Sequence, residues 1–233
     1  MPKLAIVAAL EREVSGLIES WPRIEHEFEG RKFTFFERDH TVVVCGGIGV
    51  EAARRASEAV IALYRPTLLQ SVGFAGALHA GLRVGEIFSP AAVVDARDGS
   101  RIEIEGGNGL LVTFMAVTGV EQKANLAQAY GAQAVDMEAA AVAAAARAHG
   151  IIFRTTKVIS DEVQFEMPET ARFIDAQGRF NAASFAIYAA LRPWLWRRVA
   201  TLASNSNQAA RILGEHLRGS RDHLNDVIEA KTV

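Results

Sequence analysis

The sequence predicts an α/β protein: a single domain in three layers, with a central mixed β-sheet flanked by helices. Three observations carry this reading. The strand-like runs are apolar throughout, with no polar face to give to water, so each must be covered on both sides. They alternate with helical segments, several of them rich in alanine. Glycines or carboxylates follow directly after the apolar runs, as loops do at the end of an open sheet.

In chain order, residues 4–9 (LAIVAA) read as the first strand, closed by the polar turn Glu11-Arg12-Glu13, after which Val14, Leu17 and Ile18 recur at helical spacing. Residues 32–36 and 41–45 (TVVVC) are expected to pair, the second ending in Gly46-Gly47-Ile48-Gly49 ahead of a helix over 51–63. A strand over 68–72 leads into Gly73-Phe74-Ala75-Gly76. Residues 85–94 read as one strand, 95–109 as a polar, glycine-rich connection with a hairpin-like RIEIE, and 110–117 as the return strand. A helix over 121–130 precedes Asp136-Met137-Glu138. Residues 139–149 combine high helix propensity with little side-chain volume, which suits a buried helix lying close to the sheet. The last strand, 154–159, ends in Ser160-Asp161-Glu162, and a loop with Pro168 precedes a helix over 182–191. Residues 1–192 thus form the domain. Residues 193–233 form a C-terminal helical extension expected to pack on the same domain or on a neighbouring subunit.

With 233 residues, half of them apolar, the chain can bury one substantial core. Its 25 basic and 27 acidic residues leave a formal charge of −2, without the basic excess of a nucleic-acid binder. The single cysteine, Cys45, excludes an intramolecular disulfide and a cysteine zinc cluster; no metal site is expected, and a reducing cytoplasm is the expected compartment. Acidic Glu11 and Glu13 stand where a signal peptide would place small residues, and the longest apolar stretch, 139–146, is too short to span a membrane. Trp194, Leu195 and Trp196 are too apolar to sit together in water, and are expected in a subunit interface or against their own last strand.

Sheets of this kind bind ligands at the carboxyl ends of their strands. Five segments qualify: 11–13, 46–49, 73–76, 136–138 and 160–162. Three carry carboxylates, and two carry glycines that let backbone amides approach a ligand. GGIG and GFAG match neither the dinucleotide fingerprint nor the Walker pattern, so neither a nicotinamide cofactor nor a P-loop is expected. Glu13 equally suits a helix first turn, where it would complement the dipole, and Ser160-Asp161 equally suits a helix cap. Asp136 and Glu138 bracket Met137 at the entry to the alanine helix. Burying both without partners would be costly, so at least one is expected to face a polar ligand or solvent.

In this order, IVAALEREV (6–14), GGIGVEAA (46–53), SVGFAGAL (71–78) with VGEI (84–87), AVDMEAAAVA (134–143) and KVISDE (157–162) make the chain resemble a known superfamily. It is that of the purine nucleoside and uridine phosphorylases, and the closest branch is the methylthioadenosine/S-adenosylhomocysteine nucleosidases. The resemblance implies a nucleoside phosphorylase-like fold. It also implies cleavage of the N-glycosidic bond of a purine nucleoside, adenine-type and modified at the 5′ position. Glu13 would activate the attacking water. Glu138 would hold the ribose hydroxyls, with Met137 packed on the sugar, and Asp161, oriented by Ser160, would protonate purine N7. To act as an acid near neutral pH, Asp161 would need its proton held by burial or by neighbouring acids, Glu162 among them. Gly49, Phe74, Ala75 and Gly76 complete the expected substrate-binding set.

Phe74 stands where the nucleosidases usually have a small hydroxyl residue, and Lys157 where arginine is frequent. The segment 95–110 is short, and the stretch that usually contacts the base is recast as FMAVTGVEQ. This layout, with the RPWLW tail, also resembles general phosphorylase-family proteins, including a hopanoid-associated branch that removes adenine from adenosylhopane. Water is the expected nucleophile, because no arginine lies within GGIG or GFAG. Phosphate would be the co-substrate in the phosphorylase alternative, with Arg12, Arg54, Arg65 and Arg83 as its candidate ligands; no other cofactor is expected. An inactive nucleoside-binding module is a further alternative, permitted by Phe74 and the altered base segment. The relatives form dimers or larger rings, so a homo-oligomer, foremost a dimer, is expected.

Overall fold

The computed structural model describes residues 3–230, with side-chain surroundings as far as residue 220. Its strands are β1 (Leu4–Ala8), β2 (Arg23–Phe28), β3 (Arg31–Arg38), β4 (Thr41–Cys45), β5 (Leu68–Ala77), β6 (Ile87–Phe88), β7 (Ala92–Asp95), β8 (Arg101–Glu103), β9 (Leu110–Thr113), β10 (Ala134–Asp136) and β11 (Ile152–Asp161). The helices are α1 (Glu11–Ile18), α2 (Val50–Tyr64), α3 (Val120–Tyr130), α4 (Ala139–Ala148), α5 (Ala182–Ala190) and α6 (Trp196–Ala230), with 3₁₀ turns at Thr170–Phe173 and Pro193–Leu195. None of the helices, among the described residues, is long and apolar enough to cross a membrane.

The apolar runs explain the layering. Alternate residues of a strand point to opposite faces. On β1, Ala5 and Val7 pack with Ala53, Ala56 and Val60 of α2 and with Val142 and Ala145 of α4. Leu4, Ile6 and Ala8 pack with Val14, Leu17 and Ile18 of α1 and with Ala209, Leu213 and Leu217 of α6. β1 lies parallel between β4 and β5, and β11 runs parallel along the other side of β5. The far end of β5 pairs antiparallel with β10, which continues through β9, β7 and β8. β5 therefore belongs to both halves of one mixed sheet.

α6 crosses α1 at a contact between Gly16 and Gly214. A Cβ built on Gly214 would stand 2.9 Å from the Cα of Gly16, so the backbones touch where any side chain would hold them apart. The Arg218 guanidinium donates to the Gly16 carbonyl and fixes the same crossing.

Four local expectations are corrected. β2 (RIEHEF) was not foreseen, because it is a mostly polar edge strand that pairs with β3 across a tight turn in which Glu29 and Gly30 both take positive φ. Residues 85–94 form two strands, since Pro90 between β6 and β7 has no N–H to give a ladder. The strand at 110–117 stops at Thr113. Finally, β5 runs on through Gly73–Gly76 and β11 through Ser160 and Asp161, because these stretches pair with each other: Val158 with Phe74, Ile159 with Ala75 and Asp161 with Gly76. The register shifts between Ile159 and Asp161, a bulge of the kind that re-aims a side chain.

Candidate active site

The carboxyl ends of β1, β5, β10 and β11 open onto one cavity of about 380 Å³. Glu13, Phe74, Ala75, Gly76, Met137, Glu138, Ser160 and Asp161 all line it. Gly49 lies outside the lining, and its N–H donates to Glu138 Oε1 at 2.8 Å.

Glu13 sits in the first turn of α1, and its Oε2 accepts the N–H groups of Ala9 and Leu10 at 3.1 Å each. It does cap the helix, and it is also buried. Burial raises its pKa above the usual carboxylate range against the Leu10 N–H and the charges of Lys157 and Arg12. Gly73 makes room for it: φ there is +141°, and a Cβ would stand 3.0 Å from Glu13 Oε2.

Asp136 and Glu138 divide the work expected of their segment. Asp136 faces neither solvent nor a free polar surface. It accepts from Thr113 Oγ1 at 2.6 Å and from the Ala139 N–H at 2.8 Å, and it pairs with the buried Lys157 at 2.8 Å. It therefore anchors the first turn of α4, while Thr113 Oγ1 also accepts the Ala140 N–H. Burial opposes the charge on Lys157, but Asp136 and Glu138 outweigh it and hold the ammonium above the ordinary lysine range. Glu138 keeps a carboxylate toward the cavity. Burial and the nearby Asp136 push its pKa up to about 8.

Asp161 is buried, and its Oδ1 accepts from Ser160 Oγ at 2.8 Å. Its Oδ2 forms an ion pair with Lys123, a fully buried lysine of α3 that also donates to the Glu162 carbonyl at 2.7 Å. This corrects the surroundings expected for Asp161: its close charged neighbour is a cation, and the Glu162 carboxylate is turned to Arg83 at 3.2 Å. Gly76 again allows the approach, since a Cβ there would lie 2.9 Å from Asp161 Oδ2. Lys123 escaped the sequence reading. Its signal was its place in the period Val120, Lys123, Leu126, Ala127, where a lysine occupies the apolar stripe of a helix.

Three buried acids, the half-buried Glu138 and two buried lysines are thus gathered around the cavity. Of the four arginines named as phosphate ligands, Arg54 pairs with Glu51 and Arg83 with Glu162, and Arg65 caps the end of α2. Arg12 alone of these lines the cavity, with its guanidinium over the Phe74 ring at 5.8 Å. The opposite wall was not foreseen. It is mostly apolar and comes from the end of the chain: Met167, Ile174, Phe180 and Phe185, with Val199 and Leu202 of α6, and only Thr170 and Ser206 bring hydroxyl groups to it. Among the described residues no cluster of three or more His, Cys, Asp or Glu side chains is placed to hold a metal ion.

The sequence profile of the Phosphorylase superfamily matches residues 3–113 and 109–192. Compared by sequence with curated proteins, the chain matches none. Among solved structures it is similar to the 5′-methylthioadenosine/S-adenosylhomocysteine nucleosidase of Helicobacter pylori, with a TM-score of 0.71 at 18% identity, over 96% of this chain and 99% of that one. It is similar to the futalosine hydrolase of the same organism at 0.71 and 17%, over 95% and 98%. The 5′-methylthioadenosine nucleosidase of Arabidopsis thaliana gives 0.73 and 18%, over 97% of each chain. At these identities the likeness is one of fold.

Proposed function

The chain belongs to the Phosphorylase superfamily and is an enzyme of that superfamily, and from this premise we propose that it hydrolyses the N-glycosidic bond of a 5′-modified, adenine-type purine nucleoside. The observation that carries the reading is the convergence of Glu13, Glu138 and Asp161 on one cavity whose other wall is mostly apolar.

Glu13 is the base: a carboxylate with a raised pKa takes a proton from water more readily than an ordinary one. Glu138 binds the ribose hydroxyls, and once it has given up the proton it holds in the ligand-free fold, its carboxylate favours the positive sugar ring that develops as the bond to the base breaks. Met137 packs on the sugar. The Lys123–Asp161 pair holds the proton that reaches purine N7, so that the base leaves neutral, while Ser160 fixes the carboxylate plane. The apolar wall suits a 5′ substituent without charge. Water is favoured over phosphate because a phosphate dianion needs arginines to neutralise it, and of the arginines considered Arg12 alone lines the cavity.

The test is product analysis on a panel of 5′-modified adenosines with and without phosphate. Free adenine and a reducing sugar, at a rate indifferent to phosphate, are expected. A sugar 1-phosphate as the sole sugar product would replace hydrolysis by phosphorolysis. Tight binding with no turnover of any member would make the chain a nucleoside-binding module.

A further inference from the structure

We propose that the outer face of α5 and the turn into α6 docks on an anionic lipid surface. Ile187, Leu191, Trp194 and Trp196 are 65%, 72%, 73% and 57% exposed, whereas Leu195 between the tryptophans is turned inward. Leu191, the C-cap of α5, lies one turn beyond Ile187, and Trp194 follows in the 3₁₀ turn. Trp196 Nε1 donates to the Ala189 carbonyl at 3.0 Å, which lays its indole against the end of the same helix with the polar atom already satisfied. The four side chains therefore make one apolar patch, and the hydrogen bond holds it in place.

Charge identifies the occupant. The whole chain carries a net charge of −2, yet between Asp175 and Glu215 it has five arginines and no acidic residue. Three of the five are paired with acids outside this stretch, Arg179 with Asp175, Arg198 with Glu166 and Arg211 with Glu215, and Glu169 is matched by Arg172, so the positive charge left over is that of Arg192 and Arg197. Arg192 stacks over the Tyr188 ring at 3.8 Å, and Arg197 is exposed with no ion pair among the described residues. An apolar patch holding two tryptophans, bordered by uncompensated arginines, matches the layers of a bilayer surface: rings at the headgroup level and guanidinium groups on the phosphates. A second copy of the chain fits less well, because a twofold contact would set these arginines against their own counterparts. A nucleic acid would use the arginines but leave Ile187 and Leu191 in water.

Sedimentation of the full-length protein with vesicles tests this, using phosphatidylcholine alone against an equal mixture with phosphatidylglycerol. Binding to the mixed vesicles, weakened by salt and accompanied by a blue shift of tryptophan emission, is expected; Trp21 is buried and serves as background. Trp194→Ser with Trp196→Ser should weaken binding about tenfold or more. Trp194→Ser alone, at the more exposed ring, guards against a folding effect through the Trp196 hydrogen bond. Arg197→Gln should cost about fivefold, the worth of one arginine at an anionic surface. Absence of binding to the mixed vesicles, or binding indifferent to these substitutions, overturns the proposal. So does a wild-type dimer that Trp194→Ser renders monomeric, since a second copy then covers the face. Base release from nucleosides is read separately, so failure here leaves the catalytic reading intact.

Discussion

At the scale of single residues, the site is a balance of buried charge. Removing Lys123 with methionine would leave the Asp161 carboxylate buried and unpaired, at a cost of about 3–5 kcal/mol in unfolding free energy. Adding Asp161→Asn to Lys123→Met should restore a large part of that loss, because an amide is far cheaper to bury than a charge. Urea unfolding of the wild type, both single variants and the double variant measures the coupling, and additive effects would dissolve the pair. In catalysis, Asp161→Asn keeps the shape but cannot pass on a proton, so turnover should fall about 10²-fold or more. A nucleoside whose leaving group departs without protonation should recover much of that loss in Asp161→Asn and little in Glu13→Gln. Equal recovery in both would reverse or cancel the assignment of acid and base.

Glu138 adds a pH dependence. A free glutamate titrates near 4.5, and Glu138 in the fold near about 8. Between these values the folded chain keeps a proton that the unfolded chain has released, so stability falls as pH rises through the window. The melting temperature of the ligand-free protein should therefore decline from about pH 5 to about pH 8, and Glu138→Gln should flatten the decline. An unchanged slope in the variant would place the proton elsewhere.

Among the elements, the most sensitive is the crossing of α1 and α6. A methyl group on Gly214 cannot fit 2.9 Å from the Cα of Gly16 without parting the helices. Gly214→Ala is expected to cost about 1–3 kcal/mol, a melting temperature lower by about 2–12 °C. Since α1 carries Glu13 and α6 carries Val199 and Leu202, KM should rise as well, whereas Gly219→Ala on the same helix meets nothing within 4 Å and serves as the control. The two glycines also illustrate what the sequence leaves illegible. Apolar runs such as LAIVAA and TVVVC announce themselves because a strand covered on both faces needs them, and five strand-end segments could be marked without any structure. A close contact between glycines 198 positions apart leaves no periodic trace. Nor does an edge strand such as β2, whose residues are chosen for water. Lys123 and the pairing of Asp136 with Lys157 were hidden for a related reason: a buried ion pair is written at two distant sites, and each half alone reads as surface charge.

For the molecule as a whole, the two walls of the cavity have different physical origins. Ala75 packs against Ala139 and Ala140 at the start of α4, so the floor beneath the carboxylates rests on side chains that have no rotamers to exchange. The facing wall consists of Met167, Phe180, Phe185 and Leu202, each with several, and Met167 precedes a short 3₁₀ turn rather than lying in the sheet. Apart from Met137, the adaptable side chains are thus gathered on the facing wall. Lengthening or branching an uncharged 5′ substituent should change KM by no more than about tenfold, as side chains on the soft wall rearrange. Removing the 2′-hydroxyl, which the proposed function sets against Glu138, should lower kcat/KM by about 10²-fold or more. A series of adenosine analogues varied at one end and then the other would measure the asymmetry directly, and it marks the soft wall as the place where substrate preference can be redirected by mutation without disturbing the chemistry.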